Sequence, residues 1–268
     1  MRLITPDMRA TLVQRPLGLV FDIDGTLSPI APTPGAARLY PGVAPLLAQL
    51  RAYAQVAIMT GRALADGAAL VNVDDIVYIG NHGLESAAGL PASHPVSIVP
   101  EAMRYAAAAK HLLDLVEEQL LPELPCILVQ HKAIGGSIHY RLCPDPELAR
   151  QKIAALLAEP ARQANLPLSL GKMVVDVQVP GIDKGTALRA FARRFAVRGL
   201  VFAGDDRTDL AAVREIARLQ QEGLAAQAVV VQHHDTLPEL LVGADLVVQE
   251  VEGMYNLLQE IVGVVARS

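Results

Sequence analysis

Six short runs rich in apolar and β-branched residues recur along the chain: LGLVFDID (17–24), VAIMTG (56–61), IVYIGN (76–81), LVFAGDD (200–206), AVVVQ (228–232) and DLVV (245–248). Each is almost continuously apolar, as a parallel strand buried on both faces must be. Between them the apolar positions switch to helical spacing, near 36–52, 62–71, 184–197, 208–222 and 250–265. Alternating β and α segments predict an α/β fold with an open, doubly wound (Rossmann-like), mostly parallel sheet.

The middle of the chain breaks this rhythm. After the Gly/Pro/Ser-rich stretch HGLESAAGLPASHP (82–95) come a helical pattern near 101–121 and two strands, CILVQHK (126–132) and GSIHYRLC (136–143). A helix opened by PDPELARQ (144–151) and a last strand KMVVDVQV (172–179), with a shorter partner at 167–170, complete the segment; the first pattern resumes near Asp183. We read a smaller α+β cap (87–180) inserted into an α/β core (1–86 and 181–268). With AIGG (133–136) as the hairpin turn, paired residue numbers sum to 269. Side chains alternate between faces. Leu128, Gln130, Lys132, Ser137, His139 and Arg141 then share one face. Ile127, Val129, Ile138, Tyr140 and Leu142 share the other, with His131 as the misfit. In the last strand Asp176 and Gln178 stand opposite Met173, Val175, Val177 and Val179. The small sheet thus has an apolar face for its helices and a polar face suited to water or to a polyhydroxyl ligand. The register sets Cys126 opposite Cys143.

Hydrophobic residues make up 52% of the 268 residues, enough for a sizeable core. A net charge of −5 gives no electrostatic footprint for nucleic acid or an anionic membrane surface. No apolar run approaches the ~20 residues that span a bilayer. The N-terminal stretch, with Pro6, Asp7, Arg9 and Arg15, lacks the apolar segment of a signal peptide. A cytoplasmic protein is expected, its two cysteines free thiols in a reducing compartment, and a monomer is anticipated. There is no P-loop, GxGxxG or HExxH motif.

In open α/β sheets ligands bind at the carboxyl ends of the strands. Four runs end there in polar groups: Asp22 and Asp24; Thr60; Asn81 and His82; Asp205 and Asp206. Carboxylates converging on one rim repel unless a cation sits among them. Mg²⁺, which takes hard oxygen ligands, suits the need. Taken alone, DIDG is a strand followed by an Asx-rich turn, and GDDRTD is an N-capped helix start. Both follow strands, and together they favour a metal site. His233 and His234 read as solvated loop residues.

The segments DIDGT (22–26), TGR (60–62), DKG (183–185) and GDDRTD (204–209), in this order, resemble the haloacid-dehalogenase-like (HAD) phosphohydrolases with a type-B cap. DGTLSPI (24–30), GNHGLE (80–85), HYR (139–141) and GKMVVDV (171–177) are most similar to the trehalose-6-phosphate phosphatase family within them. The resemblance implies Asp22 as nucleophile, Asp24 as general acid and base, Thr60 and Lys184 as phosphoryl-binding catalytic groups, and Mg²⁺ on Asp22, the Asp24 carbonyl and Asp205. It implies a sugar phosphate as the substrate. Gly25, Arg62, His82, Glu85, Asp206 and Asp209 are candidates around the phosphate and its supporting groups, His82 also as a stabiliser of its own turn. Lys132, His139, Arg141, Lys172 and Asp176 are candidates for the sugar. Three positions depart from the family: Gln130 and Gln178, where an acid and an arginine are usual, and Asp176, where glutamate is usual. These leave the phosphate chemistry intact and the sugar open, with another glycosyl phosphate (sucrose 6-phosphate or a glucosylglycerate phosphate) as the alternative. A phosphomannomutase-like isomerase is a separate reading, and a silent sensor is a third, against which the intact Asp22, Asp24, Thr60, Lys184 and Asp205 argue.

Overall fold

In the computed structural model, which describes residues 3–268, Thr5 caps the first helix by accepting Met8 N–H, with Pro6 at the first helical position. In chain order the elements are α1 (Pro6–Leu12), β1 (Leu17–Phe21), α2 (Val43–Leu50), β2 (Gln55–Met59), α3 (Leu64–Val71), β3 (Val77–Gly80), β4 (Glu85–Ala87) and β5 (Ser97–Ile98). Then come α4 (Ala106–Gln119), β6 (Leu128–His131), β7 (Gly136–His139), α5 (Pro146–Gln163), β8 (Leu168–Gly171) and β9 (Val174–Val177). The chain ends with α6 (Lys184–Arg194), β10 (Gly199–Gly204), α7 (Leu210–Gln221), β11 (Ala225–Gln232), α8 (Pro238–Gly243), β12 (Leu246–Gln249) and α9 (Glu250–Val265).

The chain divides into two compact units, one formed by the residues up to Ser97 with Asp183–Ser268, the other by Ile98–Ile182. The first boundary falls later than residue 86, because residues 85–87 form β4, which pairs antiparallel with β3. The first unit holds an eight-stranded sheet in the order β12-β11-β10-β1-β2-β3-β4-β5, parallel from β12 through β3. Alternation along β1 sends Leu19 and Phe21 into one layer with α1, α2, α3 and α9, and Val20 into the other with α6, α7 and α8. A strand flanked on both sides has no polar face to offer, so polar residues gather where strands end. The helix expected at 36–52 starts only at Val43, since Pro41 disfavours helical backbone at Tyr40.

The second unit is a four-stranded antiparallel sheet, β6-β7-β9-β8, with α4 and α5. Ile138, Val175 and Val177 are buried on the apolar face. The hairpin register differs from expectation: His131 pairs with Gly136 and Leu128 with His139, sums of 267. Gly135, at φ +83° and with space for a Cβ closed off by the Val177 carbonyl, belongs to the turn. A slip of two residues keeps every side chain on its assigned face. The polar face is a hydrogen-bonded network rather than a set of solvated groups. Asp176 accepts from Ser137 (2.5 Å) and Lys132 (3.1 Å), both acid and lysine being buried, and His139 Nε2 lies 3.2 Å from Gln130 Oε1. Arg141 donates to the Lys172 carbonyl. His131 turns to Glu117 of α4.

The expectation of free thiols is overturned. The open end of the hairpin brings the Cys126 and Cys143 Cα atoms to 4.9 Å, and the two form a disulfide. No helix among the described residues is long and apolar enough to cross a membrane. Closing a loop of sequence separation 17 contributes about 3 kcal/mol. Cys126→Ser, or reduction, should therefore lower the urea resistance of the insertion by that amount, followed by hydrogen exchange in α4 and α5; equal resistance of the oxidised and reduced protein would contradict the bond.

Candidate active site

The parallel strands of the first unit end together, and the side chains just beyond them build the site. Asp22 follows Phe21 at the end of β1, its N–H extending the ladder to the Ala203 carbonyl on β10. Thr60 follows β2, Asp205 follows β10, and Lys184 opens α6. Lys184 owes its position to Asp183, which caps α6 in a reciprocal pair with Thr186. A cation at a helix start opposes the helix dipole, so this one needs acids in front of it. It has two: Nζ donates to Asp22 Oδ1 at 2.7 Å and to Asp209 Oδ1 at 2.6 Å. Asp209 is fixed in turn, its Oδ2 accepting the N–H groups of Asp205 and Asp206.

Asp22, Asp205 and Asp209 are all buried, and one carboxylate oxygen from each lies within 4.8 Å of the others. Lys184 is the ammonium among them. Burial pushes the Asp22 carboxyl well above the ordinary range; Lys184 pulls it back, and Asp209 and Asp205 push it further up. Burial works against the Lys184 charge as well, but Asp209 and Asp22 overcome it and hold the ammonium protonated. Three hard-oxygen ligands facing one amine match the chemistry of a divalent cation site, and Mg²⁺ fits the donor set. Because Asp209 is occupied by Lys184 and two amides, Asp22 and Asp205 are the side chains suited to ligate.

Asp24 is placed differently. Arg62 grips its two oxygens from Nε and Nη2, each at 2.6 Å, while Nη1 reaches the Pro34 carbonyl at 2.9 Å. Burial opposes the guanidinium charge, and the Asp24 carboxylate more than restores it. Gly25 turns at φ +89°, and a Cβ there would fall 2.1 Å from Asp205 Oδ2. Only glycine lets this turn lie against the acid. Thr26 Oγ1 donates to Asp205 Oδ1 at 3.3 Å.

Other candidates serve the frame. Thr60 is buried and its Oγ1 accepts the Arg62 N–H; its carbonyl accepts the His82 N–H, and the Arg62 carbonyl accepts the Asn81 N–H. Asn81 and His82 thus clasp the backbone of TGR from β3, the His82 ring packing where a Cβ on Gly61 would stand. Glu85 is buried and caps α3 by accepting Leu64 N–H. Asp206 caps the turn into α7, accepting from Arg207. Lys132, His139, Arg141, Lys172 and Asp176 lie in the second unit, described above. Sequence reading missed His233. It is not a solvated loop residue: its side chain is 10% exposed, with Nε2 2.7 Å from the Gly25 carbonyl and Nδ1 2.6 Å from Glu250 Oε2. The signal was present, because His233 follows β11 just as Asp22 follows β1. His234 is exposed, as expected.

The profile of the trehalose-phosphatase family matches residues 20–237. A trehalose-phosphate phosphatase of Mycobacterium ulcerans is 35% identical over 207 residues, covering 74% of this chain and 50% of that protein. The chain spans about half the length of the curated relatives it matches. Among solved structures, a trehalose-6-phosphate phosphatase related protein superposes with a TM-score of 0.76 at 22% identity, covering 93% of this chain and 99% of the other. The C-terminal domain of the Candida albicans trehalose-6-phosphate phosphatase gives 0.77 at 18% identity, covering 95% and 96%. These two share the fold. With the family profile spanning both units, the chain belongs to the trehalose-phosphatase family.

Proposed function

We propose that the chain is a Mg²⁺-dependent phosphomonoester hydrolase that takes phosphate from trehalose 6-phosphate through an aspartyl-phosphate, acting in the cytoplasm. The observation that carries the reading is the buried Asp22–Lys184–Asp209 group beside Asp205. Asp22, Asp205 and the backbone carbonyl of Asp24 would hold the Mg²⁺, which supplies positive charge against the phosphoryl oxygens. An oxygen of Asp22 attacks phosphorus, and the bond to the sugar oxygen breaks. Asp24 protonates that leaving oxygen. It then takes a proton from a water, whose oxygen displaces phosphate from Asp22. A positioned proton donor of this kind is worth about 10²–10⁴-fold. Lys184 and Thr60 steady the transferring group. Asp24 can exchange a proton only once Arg62 loosens, and a guanidinium that grips a carboxylate is equally suited to phosphate. Arg62 therefore passes from acid to substrate during binding. The polar face carrying Lys132, His139, Arg141, Lys172 and Asp176 has the donors and acceptors that a polyhydroxyl sugar requires.

Phosphate release across a panel of sugar phosphates tests the substrate: trehalose 6-phosphate should be the best, and preference for sucrose 6-phosphate, or isomerisation without release, would refute it. Asp22→Asn should abolish turnover without unfolding the protein, read from its melting curve, because burial, Asp209 and Asp205 oppose the Asp22 charge and Lys184 keeps Asp209 as a partner. Lys184→Met should destabilise the protein by about 3–5 kcal/mol, the cost of stranding buried charge, measured by denaturant unfolding. Mg²⁺ should raise the melting temperature of the native protein, and Asp205→Asn should abolish that shift.

A further inference from the structure

The turn after Asp22 is tied down from the far side of the sheet. β11 and β12 are parallel neighbours with Gln232 in register with Gln249. The next residue on each, His233 and Glu250, therefore emerge side by side at the carboxyl rim. Glu250 opens α9 at φ +55°. Its carboxylate, 64% exposed, meets His233 Nδ1 at 2.6 Å. The opposite nitrogen, Nε2, donates to the Gly25 carbonyl at 2.7 Å and lies 3.8 Å from Asp205 Oδ2. The backbone N–H of His233 is held by Thr236 Oγ1 at 2.8 Å. A carbonyl oxygen can only accept, so Nε2 is the donor in the contact to Gly25.

We infer that His233, oriented by Glu250, is a positioning residue for the proposed phosphoryl transfer: it fixes the peptide of Gly25 and with it the turn that carries Asp24. The turn's other ties to neighbouring strand ends run through side chains, Arg62 to Asp24 and Thr26 to Asp205, whereas His233 holds its backbone. Its own bonds are short-range, Gly25 N–H to Ser28 and the N–H groups of Thr26, Leu27 and Ser28 all to the Ile23 carbonyl. The Gly25 peptide lies against Asp205, where no side chain fits. A hydrogen bond from β11 to Gly25 thus sets the spacing between the Asp24 segment and Asp205. His233 touches no reacting atom. Its effect runs through that spacing, to which a transfer reaction is sensitive.

The inference rests on the phosphatase reading, and two readouts keep them apart. In steady-state kinetics with p-nitrophenyl phosphate, His233→Ala should lower kcat by roughly tenfold, what one ordinary hydrogen bond is worth, with KM little changed. His233→Gln, which returns an N–H near Nε2, should recover most of it, and Glu250→Gln should fall between. In amide hydrogen exchange, a peptide covering residues 22–28 should lose protection in His233→Ala and regain it in His233→Gln, while α6 stays unchanged. If the native enzyme is active and His233→Ala matches it, the inference fails and the phosphatase reading stands. If the native protein releases no phosphate, the reading fails. Exchange then decides the strap itself: unchanged protection at 22–28 overturns it with or without activity.

Discussion

One buried ammonium sets the terms for the rest of the site. Lys184 stands at the start of α6, where the helix dipole disfavours it, and is 2% exposed. Its two carboxylate contacts make that position tenable. Take away the lysine, and Asp22 and Asp209 become uncompensated charges in a dry pocket; take away Asp209, and the lysine loses the partner that aims it. The group is interlocked further because Asp209 also holds the amides that place Asp205. Such a cluster is weak evidence for stability on its own terms, since apolar residues would serve a core as well. Its charge balance, three acids to one lysine, suits the cation proposed for the site.

The sheet explains why the cluster sits where it does. Parallel strands covered on both faces are apolar along their length, so polar groups are confined to the strand ends. Five strands contribute at one rim: Asp22 and Asp24 after β1, Thr60 and Arg62 after β2, Asn81 and His82 after β3, Asp205 after β10, and His233 after β11. Residues separated by nearly the whole chain become neighbours through register alone. The backbone contacts from Asn81 and His82 to the TGR loop show how one strand end steadies the next.

Much of this was legible in the amino-acid order. The continuous apolar runs located the parallel strands, and their polar endings located Asp22, Thr60 and Asp205, because the signal is local to each strand. The polar face of the inserted sheet was also legible, since a two-residue register slip leaves side-chain parity intact. What escaped was set by contacts between distant segments. Glu85 reads as a polar residue in a loop, yet its role is to cap α3, which follows a different strand. His233 reads as one of a solvated pair, and only β12 beside β11 reveals why one histidine turns inward to Glu250 and Gly25 while His234 stays exposed. The Cys126–Cys143 pairing was in view, but the inferred compartment suggested thiols; the chain itself brings the two sulfurs together.

Asp22 and Asp24, two residues apart, end with opposite physical fates. Asp22 is 6% exposed and bound to a lysine that cannot move without dismantling the pocket. Asp24 is 33% exposed and held by Arg62, itself 12% exposed and reaching from the next strand over. A nucleophile must be immobile and aligned, since its geometry is the source of its reactivity. A proton carrier must change partners within each cycle, so it needs a partner that can let go. Burying one acid behind lysine and leaving its neighbour with an arginine nearer the surface provides for both needs within a three-residue stretch. The difference in burial, more than the shared side-chain chemistry, is what suits the two carboxylates to the separate parts proposed for them.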